Sequence, residues 1–204
     1  MRGCGAYRRT LAVFGLFVFL LAGCAHTPQS RFYLLQSRVP PGMSGAVSPG
    51  ADGAVFGIGP VKFPEYLDRP QIVTRTGLNE IQLAEYHRWA EPLKDNFARV
   101  LTENLAALLP ANGVVAFPWP GSARVRYQVM VEVTRFDGIA GREARLDAQW
   151  TIVDVAANTT VTTKKTGIAR PVASPGHESL VAAQNEALGE FGAEIADALK
   201  SLPE

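Results

Sequence analysis

Val125-Arg126-Tyr127-Gln128-Val129-Met130-Val131-Glu132-Val133 alternates apolar with polar or long side chains, and Ala144-Arg145-Leu146-Asp147-Ala148-Gln149-Trp150-Thr151-Ile152 repeats the pattern a few residues on. A period of two places every second side chain on one face of a strand, so each stretch has one apolar and one solvated face. Residues 161–168, Val161 to Ile168, supply a more polar partner. The reading is an antiparallel meander, with its turns at Asp137-Gly138 and Asn158-Thr159.

One bare apolar face needs cover, and both flanks supply it. Upstream, Trp89, Leu93, Phe97, Leu101, Leu105 and Leu108 recur every three or four residues, which predicts a helix ended by Pro110 and Gly113. Downstream, Val181, Leu188, Phe191, Ile195, Leu199 and Leu202 predict a last helix from about Glu178 to Leu202, with Pro203 closing it. Nearer the start, Phe32-Tyr33-Leu34-Leu35 and Val55 to Phe63 read as strands. Gln71 to Thr74 and Ile81 to Ala84 read as arms of a hairpin around Gly77-Leu78-Asn79. The predicted class is α+β: a largely antiparallel sheet of roughly seven strands, with two amphipathic helices packed on one face.

Two connectors stand out. Residues 36–53 hold Pro40, Pro41, Pro49 and four glycines with few large apolar groups, and read as a flexible surface loop within the domain. Pro64-Glu65-Tyr66-Leu67-Asp68-Arg69-Pro70 is pinned by proline at both ends and predicts a rigid, exposed connector.

The chain opens with Arg2, Arg8 and Arg9, then an unbroken apolar run of eleven residues from Leu11 to Leu21, then Ala22-Gly23-Cys24. That order is a secretory signal. Spanning a bilayer as a helix takes roughly 17–25 residues, so a permanent membrane span is not expected. Leu21-Ala22-Gly23-Cys24 resembles the lipobox of bacterial lipoproteins, in which the cysteine thiolate accepts a diacylglyceryl group before cleavage between Gly23 and Cys24 frees its amine for a third chain. Each buried methylene contributes about 0.8 kcal/mol, and two or more chains anchor stably. The expected organisation is therefore a removed signal at 1–23, a lipidated tether at 24–30 and a single periplasmic domain at 31–204.

The formal net charge is +1, and the signal removes three arginines and no acid, so the mature chain is mildly acidic. Nothing suggests nucleic acid. Cys4 leaves with the signal and Cys24 is acylated, so no thiol is left for a disulfide. Enzyme chemistry finds no constellation either. Gly42-Met43-Ser44-Gly45-Ala46 fails the nucleophile elbow at its last position. His26, His87 and His177 have no second histidine at ligand spacing. Gly57-Ile58-Gly59 is a fragment of a dinucleotide motif followed by Pro60 and Val61, better read as strand glycines allowing close packing or a bulge. No cofactor is expected beyond the covalent lipid on Cys24. Tyr66, Leu67, Arg69, Gln71, Arg88 and Trp89 combine aromatic and planar hydrogen-bonding groups favoured at protein interfaces. The alternative for Tyr86 and Trp89 is simple core filling beside the helix.

Three stretches carry a family likeness: Arg31-Phe32-Tyr33-Leu34-Leu35, the run Gly59-Pro60-Val61-Lys62-Phe63-Pro64-Glu65-Tyr66-Leu67-Asp68-Arg69-Pro70-Gln71-Ile72-Val73, and His87-Arg88-Trp89-Ala90-Glu91-Pro92-Leu93. The chain resembles the ABC-type transport auxiliary lipoproteins, the paraquat-inducible protein C-like family, over essentially its whole mature length. The resemblance implies a non-catalytic lipoprotein of the outer membrane facing the periplasm. It also implies partnership with MCE-domain periplasmic proteins and their inner-membrane partners in lipid transport and membrane integrity. Ala25 after the cysteine is compatible with outer-membrane sorting. The expected mechanism is docking of the MCE assembly, with the Tyr66 to Gln71 connector in that surface or in a contact within a homo-oligomer. A structural or assembly lipoprotein of the envelope, and a carrier that takes lipid into its own cavity, are the alternatives.

Overall fold

A computed structural model of the chain describes residues 28–37, 55–110 and 113–203. The signal segment, Gly23, Cys24 and most of the 36–53 loop lie outside the described residues.

The two alternating stretches form β6 (Val125–Ile139) and β7 (Glu143–Asp154), antiparallel with Val131 opposite Trp150 and Val129 opposite Ile152. Their inward residues, among them Tyr127, Val129, Leu146, Trp150 and Ile152, are buried, while the intervening ones are partly exposed. β8 (Thr159–Pro171) continues the meander. On the other side of β6 lies β2 (Val55–Lys62), followed by β5 (Gly113–Ala116), giving the order β5-β2-β6-β7-β8. Helices α1 (Leu93–Leu108) and α2 (His177–Lys200) cover this sheet. They pack on each other, α1 over β2 and β5, and α2 over β6, β7 and β8. A second sheet, ordered β1-β4-β3, is built from β1 (Arg31–Tyr33), β3 (Gln71–Arg75) and β4 (Ile81–Trp89), and β3 packs against β6.

The α+β class with helices packed against sheet is as expected, while the sheets are mixed and number two. β1 runs parallel to β4, and β2 runs parallel to both β5 and β6. The first five residues of β2 are all buried, because β2 is an inner strand covered on both sides. Trp89 ends β4 instead of opening the helix, which starts at Leu93 after Pro92 as its cap. The first expected turn is also displaced. Asp137 and Gly138 lie inside β6, and the chain reverses after Ile139, where Arg142 N donates to the Ile139 carbonyl at 3.0 Å and Gly141 takes φ 67°. The second falls as expected, with Asn158 at φ 51°.

Gly57 and Gly59 serve packing. A Cβ at Gly57 would stand 2.7 Å from the Trp119 ring, and Gly59 takes φ 114° at a bulge between Ile58 and Val61. Beyond β1 the chain runs along both helices: Leu35 N donates to Asn96 Oδ1 at 2.6 Å, and Gln36 N to Asn185 Oδ1 at 3.1 Å.

Candidate functional site

The proline-bounded connector is wound into a single 3-10 turn, Glu65–Leu67, with Leu67 N donating to the Pro64 carbonyl at 3.0 Å. The tight turn swings Leu67 into the core, where it is 2% exposed, and leaves Arg69 at the rim of a groove. The opposite wall comes from the end of β4. Trp89 N donates to the Pro70 carbonyl at 2.7 Å, and Gln71 stands opposite Arg88 in the β3–β4 ladder. Arg69, Pro70, Trp89, Glu91 and Pro92 thus surround a groove of about 320 Å³. Within it Arg69 Nε is buried and has no hydrogen-bond partner among the described residues. The rest of the guanidinium belongs to a partly exposed side chain, and its planar fork suits a carboxylate or carbonyl brought by another molecule.

Tyr66, in the same connector, joins a polar cluster centred on Asp137, whose side chain is 0% exposed. Asp137 Oδ2 accepts from Tyr66 Oη at 3.0 Å and from Arg75 Nε at 2.8 Å, and Oδ1 accepts from Arg135 Nε at 2.8 Å. Burial and the neighbouring Asp137 charge push the Tyr66 phenol up to about 12, so it stays a protonated donor at neutral pH. Tyr66 therefore ties the connector to β6. Trp89, 5% exposed, is a core residue, and its pairing with Pro70 supports the groove from behind. Of the six residues read as interface candidates, Leu67 and Trp89 are buried, while Tyr66, Arg69, Gln71 and Arg88 are partly exposed.

Two further groups were not visible as partners in the sequence. His87, in β4, and His177, the first residue of α2, stack with ring centroids 3.9 Å apart and planes 16° from parallel, and Tyr33 shares a 2.7 Å hydrogen bond with His87 Nδ1. Among the described residues, no three His, Cys, Asp or Glu side chains gather as metal ligands. Burial, and secondarily the charge of His87, hold the His177 pKa below its ordinary value. The native state then binds that proton less tightly than the unfolded chain, whose histidine titrates near about 6.5. This contribution to stability is full above that pH and declines as pH falls through it toward the lowered native value. In urea titrations at pH 7.5 and 5.5, His177→Gln should lose less stability on acidification than wild type. Equal losses would clear His177 of the effect.

A family profile described as the ABC-type transport auxiliary lipoprotein component matches residues 33–196. The chain belongs to that family. The matched span holds the groove, the Asp137 cluster and the histidine pair of this auxiliary lipoprotein, and the description is of an auxiliary component, not of a catalytic one. Among solved structures, an uncharacterised protein aligns with TM-score 0.69 at 19% identity, covering 84% of this chain and 99% of its own. A Xanthomonas campestris protein of the DUF330 family aligns with TM-score 0.63 at 21% identity, covering 82% and 93%. These likenesses concern the fold. Comparison with curated proteins gives no match. Among the described residues no helix is long and apolar enough to cross a membrane.

Proposed function

We propose that this auxiliary lipoprotein is anchored through Cys24 to the periplasmic face of the outer membrane and, without catalysing a reaction, docks the periplasmic MCE assembly of an ABC lipid transport system there. The observation that carries the reading is a conjunction: Leu21-Ala22-Gly23-Cys24 stands just upstream of a family match that begins at residue 33. Acyl chains supply attachment, and a tether of a few residues keeps the folded domain close to the bilayer. The groove at the base of the β3–β4 hairpin, with the partly exposed Arg69 guanidinium at its rim, is the proposed contact for a partner, whether the MCE protein or a second copy of the chain.

The test is a pull-down from crosslinked envelopes with tagged, lipidated protein, read by mass spectrometry, with Cys24→Ala as control. An MCE-domain protein should be recovered with the anchored form and lost with Cys24→Ala. Recovery of cell-wall or synthase components instead would favour an assembly lipoprotein. Arg69→Ala removes the rim guanidinium while sparing the Asp137 cluster, so it should stay folded and recover several-fold less partner. Undiminished recovery by folded Arg69→Ala would remove the groove from the docking surface.

A further inference from the structure

We infer that the tip of the β3–β4 hairpin is a membrane-contacting element, with Leu78 entering the headgroup–acyl boundary of the leaflet that holds the lipid on Cys24. This rests on the reading of Cys24 as the lipidated residue.

Strand direction sets the geometry. β1 pairs in parallel with the last part of β4, Arg31 opposite His87 and Tyr33 opposite Trp89. Because the strands are parallel, the chain preceding Arg31 joins the sheet from the side on which β4 begins, at Ile81, next to the hairpin tip. Six residues separate His87 from Ile81, roughly 20 Å along a strand. Seven separate Arg31 from Cys24, which extended span at most about 25 Å. The acylated cysteine is thus within reach of the tip. The β7–β8 turn lies at the other end of the large sheet, since Tyr127 pairs with Asp154 ten residues along β6 from Asp137, roughly 33 Å away.

The tip has the chemistry for that position. Leu78 is 94% exposed and Ile81 37%, and the turn that carries them is held in place. Arg75 Nη1 donates to the Leu78 carbonyl at 3.2 Å while its Nε is fixed by Asp137, and Thr76 N donates to the Glu80 carbonyl at 3.3 Å. A single exposed leucine is ordinary on a protein surface. One held at the apex of a clamped turn, at the end of the domain from which the chain reaches back toward Cys24, has the leaflet as its natural neighbour. Thr76, Asn79 and Glu80 belong among headgroups and limit the depth, so the tip dips into the surface and orients a domain that the acyl chains hold. The tip itself, residues 76–80, carries no Lys or Arg, and Arg75 beside it is engaged by Asp137, so contact of Leu78 should not require anionic lipid. The Trp89 groove, eight residues along β4 from Ile81, then sits at the end of the hairpin away from the bilayer, open to a periplasmic partner.

The test uses full-length lipidated protein carrying Leu78→Cys, labelled with an environment-sensitive fluorophore, in phosphatidylcholine vesicles. The mature chain has no other free thiol when Cys24 is acylated, so the label is unique. Val155→Cys, at the 42% exposed Val155 of the β7–β8 turn, is the control. The label at 78 should blue-shift on vesicles and be quenched by nitroxide lipids, equally with and without added phosphatidylglycerol, while the label at 155 does neither. Flotation with the vesicles, read on the same samples, reports the anchor. Protein that floats with an aqueous label at 78 overturns the tip assignment and leaves the anchor standing. Protein that does not float overturns both. A blue shift already present without vesicles, in protein that carries both Cys4→Ala and Cys24→Ala so that position 78 holds its one thiol, would mean that another copy covers the tip, and would also overturn the assignment.

Discussion

Asp137→Ala should lower the stability of the domain by about 3 kcal/mol at pH 7, read as a fall in the urea unfolding midpoint. Removing one partner of a buried ion pair typically costs about 3–5 kcal/mol, because the opposite charge is left desolvated. Here the residue removed is fully buried and serves three donors, while Arg75 and Arg135 are 19% and 25% exposed and can recover some hydration. That places the loss at the lower end of the range. Arg99 is the comparison: it bridges Glu91 at 2.7 Å and Glu103 at 3.0 Å, yet its side chain is 47% exposed. Exposed pairs contribute at most about 1 kcal/mol, so Arg99→Ala should move the midpoint little. Similar losses for the two variants would contradict the account. Asp137→Ala also releases Arg75 from its clamp, so the hairpin tip should become mobile even in the fraction that remains folded.

The contrast between these two aspartate and arginine sites shows where sequence reading reaches its end. β6 and β7 were legible because their burial alternates with the strand period, and that pattern survives in the structure from Tyr127 to Val133 and from Ala144 to Ile152. Asp137-Gly138 misled because the dipeptide is a strong turn former in isolation, whereas in the fold Gly138 is needed for packing. A Cβ there would stand 2.5 Å from the Glu143 carbonyl and 2.6 Å from Leu180 Cδ1. The one local hint was Arg135 two residues before Asp137, a spacing that puts both on one strand face and recurs in Arg145 and Asp147. Tyr66 and Asp137 are 71 residues apart, and His87 and His177 further still, so only tertiary packing brings them together. The groove was only partly visible: Gln71 opens a hairpin arm whose turn could be read, but Arg88 and Trp89 lie beyond the arm read at 81–84, with Trp89 assigned to the helix. Strand direction was not visible at all. Nothing in local periodicity says that β1 lies parallel to β4.

Phe97→Ala should cost about 3–5 kcal/mol, the range for emptying a fully buried aromatic site. Phe97 is 0% exposed, with ring centroids 5.2 Å from Phe63, 5.3 Å from Phe136 and 6.4 Å from Phe191. Its edge-on contacts with Phe63 and Phe136 add to the area it buries. The four rings come from α1, the residue just after β2, β6 and α2, so truncation loosens both helices from the sheet together. A loss below about 1 kcal/mol in urea would show that the site collapses and that this cluster does not hold the layers together. Phe63 directly precedes Pro64, and Phe136 directly precedes Asp137, so the cavity would open beneath the two segments that shape the groove and clamp the hairpin. Partner recovery by Phe97→Ala, corrected for its folded fraction, should therefore fall as well. The aromatic cluster thus underlies the proposed docking surface, and a fall in recovery by both Phe97→Ala and Arg69→Ala would support that surface from two sides.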